Sequence, residues 1–188
     1  MAKRVFLALE IDDAARAELL GVLDELAWAL VRMKPVAAEN LHVTLKFLGD
    51  VAEAAIPDVC AAVNAAAAMV GPFELSLGAV RSRPPAGPVR MIWADVAEPT
   101  GRLLALHAAC ERQLEAIGFG PEGRFYRPHV TLVRINARGE HASLREQVVA
   151  IEPLSGRAIR VDGVAVMSSQ LTRRGPVYAR MHQAPLAR

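Results

Sequence analysis

Leu41-His42-Val43-Thr44-Leu45 and Pro128-His129-Val130-Thr131-Leu132 carry the same tetrapeptide, His-Val-Thr-Leu, 87 positions apart (129 less 42). Five His and four Thr stand in the 188-residue chain, so a His-x-Thr arises by chance on the order of 0.1 times, and two copies with identical flanks mark an internal repeat. In an extended strand residues i and i+2 share a face, which places His42 with Thr44 on one side and Val43 with Leu45 on the other. His129 and Thr131 are paired in the same way. The apolar partners anchor each strand in a core and leave the polar pair to face a surface or a cleft. Two such strands facing one another gather two imidazoles and two hydroxyls around one anion.

Working outward, Val5 to Ile11 is an apolar run of strand length, and Asp12 or Asp13 supplies the N-cap of a helix in which Leu19, Leu20, Leu23, Leu26, Ala27 and Leu30 recur at helical spacing as far as Arg32. Pro35 stops that helix. Leu41 to Leu48 reads as a strand ended by Gly49-Asp50, and the Ala-rich segment from Glu53 to Val70 reads as a helix. Phe73 to Val80 and Val89 to Val96 read as strands joined by an exposed Pro-rich hairpin loop, 81–88. A helix over Thr100 to Ile117, a strand over His129 to Arg134, a short helix over Ser143 to Val149 and strands over Ala158 to Met167 and Val177 to Met181 complete the pattern. Strand and helix thus alternate twice with hairpins inserted, which predicts an α+β protein of one domain, residues 1–188, built from two similar halves.

Composition narrows the function. Hydrophobic residues make up 53 %, enough for a sizeable core, and 22 Lys+Arg against 20 Asp+Glu leave a net charge of +2. So slight an excess excludes a general polycation that coats nucleic acid, and any basic character must be local. Cys60 and Cys110 lie in apolar stretches and read as free, buried thiols. The N-terminal residues lack the long apolar core of a signal peptide and no apolar run is long enough to span a bilayer, so the expected location is the cytoplasm.

The paired motifs point to phosphoryl chemistry. An imidazole near its ordinary pKa of about 6.5 can accept a proton from an attacking water or donate one to a departing oxygen. Hydroxyls and a neighbouring Arg can hold the non-bridging oxygens, where negative charge grows in the transition state. Zinc is a weaker reading, because neither motif offers a second ligand at His-x-His or His-Glu-x-x-His spacing. No Gly-x-Ser-x-Gly elbow supports a serine nucleophile. Neither a cofactor nor a metal is expected.

The chain resembles the 2H phosphoesterases, whose signature is two His-x-Thr-x motifs about ninety residues apart. Val36 to Val51 and Tyr126 to Arg134 look like the branch of RNA 2′,3′-cyclic phosphodiesterases, also called 2′-5′ RNA ligases. Arg4 to Ile11 and Ser168 to Tyr178 fit that branch too, so the likeness covers nearly the whole chain. It implies two pseudo-symmetric lobes of mainly antiparallel sheet flanked by helices, with one motif from each lining a central catalytic cleft. It also implies metal-independent hydrolysis of an RNA 2′,3′-cyclic phosphate to a 2′-phosphate, with reverse 2′-5′ joining in some members. By position, His42 would be the proton donor and His129 the proton acceptor, with Thr44 and Thr131 binding phosphate. Arg134 would join them, although strict strand parity sends it to the face opposite His129 unless the strand bulges.

Tyr126 falls where the branch carries an aromatic, and it reads equally as a stacking platform for a base or as a core residue. Arg81, Arg83, Arg90, Arg124, Arg127, Arg173 and Arg174 are candidates for contacts to the RNA backbone. His107, His141 and His182 read as surface or capping residues. The implied partner is an RNA with a cyclic-phosphate end, tRNA fragments included, with no membrane and no obligate protein partner. Competing readings are a phosphodiesterase of small cyclic nucleotides or 2′-5′ oligonucleotides, and a module that binds RNA ends without turning them over. The physiological RNA, the balance of hydrolysis and ligation and the oligomeric state are not encoded in any motif.

Overall fold

The computed structural model describes residues 1–27, 34–123, 125–135, 142–173 and 175–188. Leu30 and Arg32 at the end of the expected first helix, together with Arg124, His141 and Arg174, lie outside them. Strands β1 (Ala2–Glu10), β2 (Lys34–Pro35), β3 (His42–Ala52), β4 (Phe73–Arg83), β5 (Met91–Ala97), β6 (His129–Arg134), β7 (Ala158–Val161), β8 (Gly163–Thr172) and β9 (Gly175–Pro185) alternate with helices α1 (Asp13–Glu25), α2 (Ile56–Ala67), α3 (Arg102–Glu115) and α4 (Ala142–Ala150). The protein is α+β. Its described strands form one antiparallel sheet in the order β7-β4-β5-β6-β3-β1-β8-β9, with β2 paired to β6. The two repeated motifs open β3 and β6, which are neighbours at the middle of that order.

Period-two burial explains why the strands form where they do. In β1, Leu7 and Leu9 pair with Lys46 and Val43 on one face, while Phe6, Ala8 and Glu10 pair with Phe47, Thr44 and His42 on the other. The first face packs against the helices. Val5, Leu7, Leu9, Val43, Leu45, Ile92, Val130 and Leu132 from the strands join Leu19, Val59, Val63, Leu106 and Leu114 from the helices in one buried cluster. Asp12 caps α1, its carboxylate accepting the Ala15 amide at 2.9 Å.

Three sequence expectations are corrected. The helix expected to reach Arg32 stops at Glu25, and the Ala27 amide closes the turn on the Asp24 carbonyl. Neither glycine nor proline marks that end, so apolar periodicity overran it. The third strand does not end at Gly49-Asp50, since Gly49 adopts φ +73° inside β3 and pairs with Val5. Ala158 to Met167 is not one strand but two. β7 pairs with β4 at one end of the sheet, and β8 pairs with β1 towards the other. The chain crosses at Asp162-Gly163, where a Cβ on residue 163 would lie 2.9 Å from the Ala184 carbonyl oxygen, a separation only glycine relieves. The Pro-rich hairpin loop between β4 and β5 is exposed as expected, and Arg145 of α4 also holds it by donating to the Pro84 carbonyl at 2.9 Å and to the carbonyl of Gly87.

Both cysteines are free, and burial pushes the Cys110 thiol up to about 12. The least expected core residue is Lys46, whose side chain is 1 % exposed. Its Nζ donates to Glu111 Oε1 at 2.7 Å and to the Gly120 carbonyl at 2.8 Å, tying β3 to α3 and to the segment that leads to β6. Removing one partner of a buried pair strands the other charge, which costs about 3–5 kcal/mol, whereas apolar replacement of both is close to neutral. Lys46→Met should therefore cost about 3 kcal/mol in urea unfolding, and Lys46→Met with Glu111→Leu should recover most of the loss. A single Lys46→Met variant as stable as the parent would show that the pair does not hold these elements together.

Candidate active site

The site is assembled where β3 meets β6, with Val43 opposite Val130 in antiparallel register. That pairing sets His42 across from Thr131 and Thr44 across from His129, so imidazole and hydroxyl alternate over a small square. The two histidines occupy its diagonal, where such neighbours lie roughly 7–8 Å apart between Cα atoms. All four side chains point away from Val43 and Val130, which are fully buried.

A bulge follows each motif. On β6, Ile92 is opposite Val133 but Trp93 is opposite Thr131, so Leu132 is the extra residue. On β3, Leu7 is opposite Lys46 but Ala8 is opposite Thr44, so Leu45 is the extra residue. Each bulge buries two successive side chains and restores the residue five positions after the histidine to the histidine face. Arg134 therefore shares a face with His129 and Thr131, and Phe47 takes the equivalent place beside His42 and Thr44. These residues, with Met91, Trp93, Glu122, Phe125, Tyr126 and Arg127, line a cleft of about 1160 Å³ from which only His42 is set back.

The two imidazoles are held alike. His42 Nδ1–H donates to the Asn40 carbonyl at 2.7 Å, and His129 Nδ1–H donates to the Arg127 carbonyl at 2.8 Å, each acceptor two residues before its histidine. In the neutral ring this leaves Nε2 unprotonated. His42 Nε2 lies 3.0 Å from Thr44 Oγ1. The ring faces differ, since His42 packs against Phe6 at 5.0 Å and edge-on to Tyr178 at 5.5 Å, whereas His129 lies over Trp93 at 4.2 Å. Arg83 lies over the Trp93 ring at 4.7 Å, and the Trp93 Nε1–H donates to Asp95 at 2.8 Å. Asp95 also pairs with Arg81 at 2.5 Å.

Burial pushes both imidazoles below their ordinary range, because the charged form loses hydration. The carbonyl acceptors oppose that shift, and the positive charge of Arg134 adds to it at both rings. His129 alone also feels Asp95, which raises it, and Arg83, which lowers it. In the free protein both rings are thus biased towards the neutral form at pH 7.

Tyr126 is largely buried. Its ring stacks on His107 at 4.0 Å, and its hydroxyl donates to the Thr44 carbonyl at 3.2 Å, so one face is already covered. The expectation that His107 is a surface or capping residue is corrected by that stack. His107 Nε2 also lies 3.7 Å from the same Glu111 oxygen that Lys46 engages. His182 remains peripheral, bonded to Asn64 Oδ1 at 2.8 Å. Of the arginine candidates, Arg127 lines the cleft, Arg83 and Arg81 are engaged with Trp93 and Asp95, and Arg90 and Arg173 are exposed. Among the described residues, no group of three or more His, Cys, Asp or Glu is placed to hold a metal ion.

Sequence reasoning missed Phe47, Trp93, Asp95 and Asn40. Extending the repeat would have found two of them, since Asn40 and Arg127 both precede a histidine by two residues, and Phe47 and Arg134 both follow one by five. Nothing local marks Trp93 or Asp95, whose place depends on the register of β5. The charge distribution predicts a differential result by NMR titration. Arg134→Gln should raise the apparent pKa of both His42 and His129, and Arg83→Gln that of His129 alone. An unmoved His42 in Arg134→Gln would place that guanidinium away from the site.

Known proteins share the fold and match most of the chain. The family model described as the 2′-5′ RNA ligase superfamily matches residues 11–173. A Methanothermobacter thermautotrophicus protein named RNA 2′,3′-cyclic phosphodiesterase is 32 % identical over 181 residues, covering 96 % of this chain and 97 % of its own. An Aeropyrum pernix protein of the same name is 29 % identical over 169 residues, covering 90 % of this chain and 95 % of its own. The crystal structure of TT0787 of Thermus thermophilus superposes with a TM-score of 0.82 at 27 % identity over 97 % of both chains. The E. coli LigT structure complexed with 3′-AMP shares the fold, with a TM-score of 0.81 at 21 % identity over the full length of both chains. With the superfamily model spanning most of its length, both motifs included, the chain belongs to the 2′-5′ RNA ligase superfamily of 2H phosphoesterases.

Proposed function

We propose that this protein is an RNA 2′,3′-cyclic phosphodiesterase that opens the cyclic phosphate to a 2′-phosphate by His/His general acid–base catalysis. The observation that carries the reading is the matched pair of imidazoles, each fixed at Nδ1 by a carbonyl two residues upstream, with Thr131 and Arg134 on the same face. Relatives named RNA 2′,3′-cyclic phosphodiesterase that match nearly end to end support the substrate class. A cleft of about 1160 Å³ exceeds what a phosphate alone needs and lies just above the range of ordinary ligand pockets, about 300–1,000 Å³.

In this reading the phosphate lies between the imidazoles. His129 Nε2 takes a proton from water as the new P–O bond forms, and His42 gives its Nε2 proton to the 3′-oxygen as the P–O3′ bond breaks. Thr44, Thr131 and Arg134 hold the non-bridging oxygens. Bound phosphate offsets the desolvation that depresses both imidazoles and allows one to be charged. The same sequence, with a 5′-hydroxyl in place of water, would join RNA ends through a 2′-5′ linkage.

The decisive assay compares a cyclic-phosphate-ended oligoribonucleotide with 2′,3′-cyclic mononucleotides, the oligonucleotide being turned over with the higher kcat/KM. Preference for the mononucleotide would favour a small cyclic-nucleotide enzyme instead. His42→Ala and His129→Ala should each lower turnover by about 10²-fold or more with the fold retained. EDTA should leave the rate unchanged, since the two imidazoles supply both proton transfers.

The pH dependence follows from the direction of the shifts. Because burial lowers both imidazoles, the bell in kcat/KM for the free enzyme should peak on the acid side of about pH 6.5. The kcat profile, which reports the complex with the anion bound, should lie at higher pH. The two limbs belong to the coupled pair and not to either residue alone. A kcat/KM that rises without a descending limb to about pH 9 would remove the acid from the scheme.

A further inference from the structure

Asn40 and Lys46 are the two polar residues buried among the described residues, and Asn40 stands two positions before His42. It ends the short 3₁₀ turn Ala38–Asn40 that feeds β3. Its backbone carbonyl accepts the His42 Nδ1–H, while its side-chain Nδ2–H donates at 2.9 Å to the Pro176 carbonyl on β9. The turn is gripped from the other side by Arg16 of α1, whose guanidinium donates to the carbonyls of Ala38 and, at 3.2 Å, Ile11. Two residues beyond Pro176, Tyr178 stands edge-on to both His42 and Phe6.

The other half of the repeat is built differently. Arg127 supplies the equivalent carbonyl to His129, but its side chain opens into the cleft, and the ring is steadied by Trp93 stacked upon it. We infer that Asn40 is a positioning residue for His42, its side-chain amide anchoring to the β8–β9 hairpin the one carbonyl that fixes the ring's tautomer and plane. An amide is required because Pro176 presents only a carbonyl oxygen there, which needs a donor. The hairpin thereby orients the imidazole of the first motif without touching the reacting atoms.

The inference rests on the reading of His42 as the proton donor, and its test has a readout that does not depend on turnover. Asn40→Ala removes the amide, and Asn40→Asp keeps the shape but sets an oxygen against the Pro176 carbonyl. Both should lower kcat about tenfold to a hundredfold, the scale of a catalytic group displaced by about an ångström, with KM within about twofold. In protein carrying ¹⁵N-labelled histidine, the His42 ring signals of both variants should move from the Nδ1–H tautomer towards a mixture, while those of His129 stay in place. His129 is the internal control, since general loosening of the structure would shift both rings.

A folded Asn40→Ala or Asn40→Asp with His42 signals and kcat like the parent would overturn the inference, as would equal movement of both rings. Should neither variant fold, the parent protein decides, because His42 found as the Nε2–H tautomer at neutral pH refutes it and a slowly exchanging Nδ1–H sustains it. Failure of the parent enzyme on cyclic-phosphate RNA would count against the proposed function and leave the tautomer result standing.

Discussion

Val43 and Val130 face each other across the junction of two strands, and every feature of the site is referred to that pair. Their burial fixes the parity of both strands, because a slip of one residue would turn the valines outward and the histidines inward. Antiparallel pairing then does what proximity in sequence could not. It places residues 87 positions apart on one surface with alternating chemistry. On either side of the junction β1, β8 and β9 extend one half of the sheet and β5, β4 and β7 the other, so a pair of small residues at the centre carries two unlike flanks.

The environment of the square is set by three charges of different standing. Arg134 acts on both imidazoles, whereas Asp95 and Arg83 act on His129 only. The halves of the repeat are thus equal in backbone and unequal in electrostatics, as the opposite roles proposed for the two imidazoles require. Behind the cleft, Lys46, Glu111, His107 and Tyr126 form a chain of contacts from the core of β3 to the Thr44 carbonyl. That chain ends at Tyr126 in the lining of the cleft.

What the amino-acid sequence discloses is uneven for physical reasons. The α+β class, the strand at each motif and the facing of His with Thr follow from period-two alternation and were legible. Arg134 was legible through the family resemblance but pointed, by parity, the wrong way, because a bulge changes parity without leaving a glycine or proline to announce it. Trp93 and Asp95 were invisible, since nothing in one strand states its register against another. The same limit hid the break at Asp162, where β7 and β8 read as one apolar run yet serve distant parts of the sheet.

The place of β1 has a consequence for how the protein is made. This strand, synthesised before the other eight, lies between β3 and β8, and β8 with β9 comes from residues 163–185. Until those residues are synthesised, one edge of β1 has no partner and Phe6 has no Tyr178 to pack against. The half of the sheet bearing His129 draws β4 to β7 from a continuous stretch, so it can form on the nascent chain. The half bearing His42 must wait for closure of the longest loop in the molecule, which makes it the slower to fold and the longer exposed to wrong pairing.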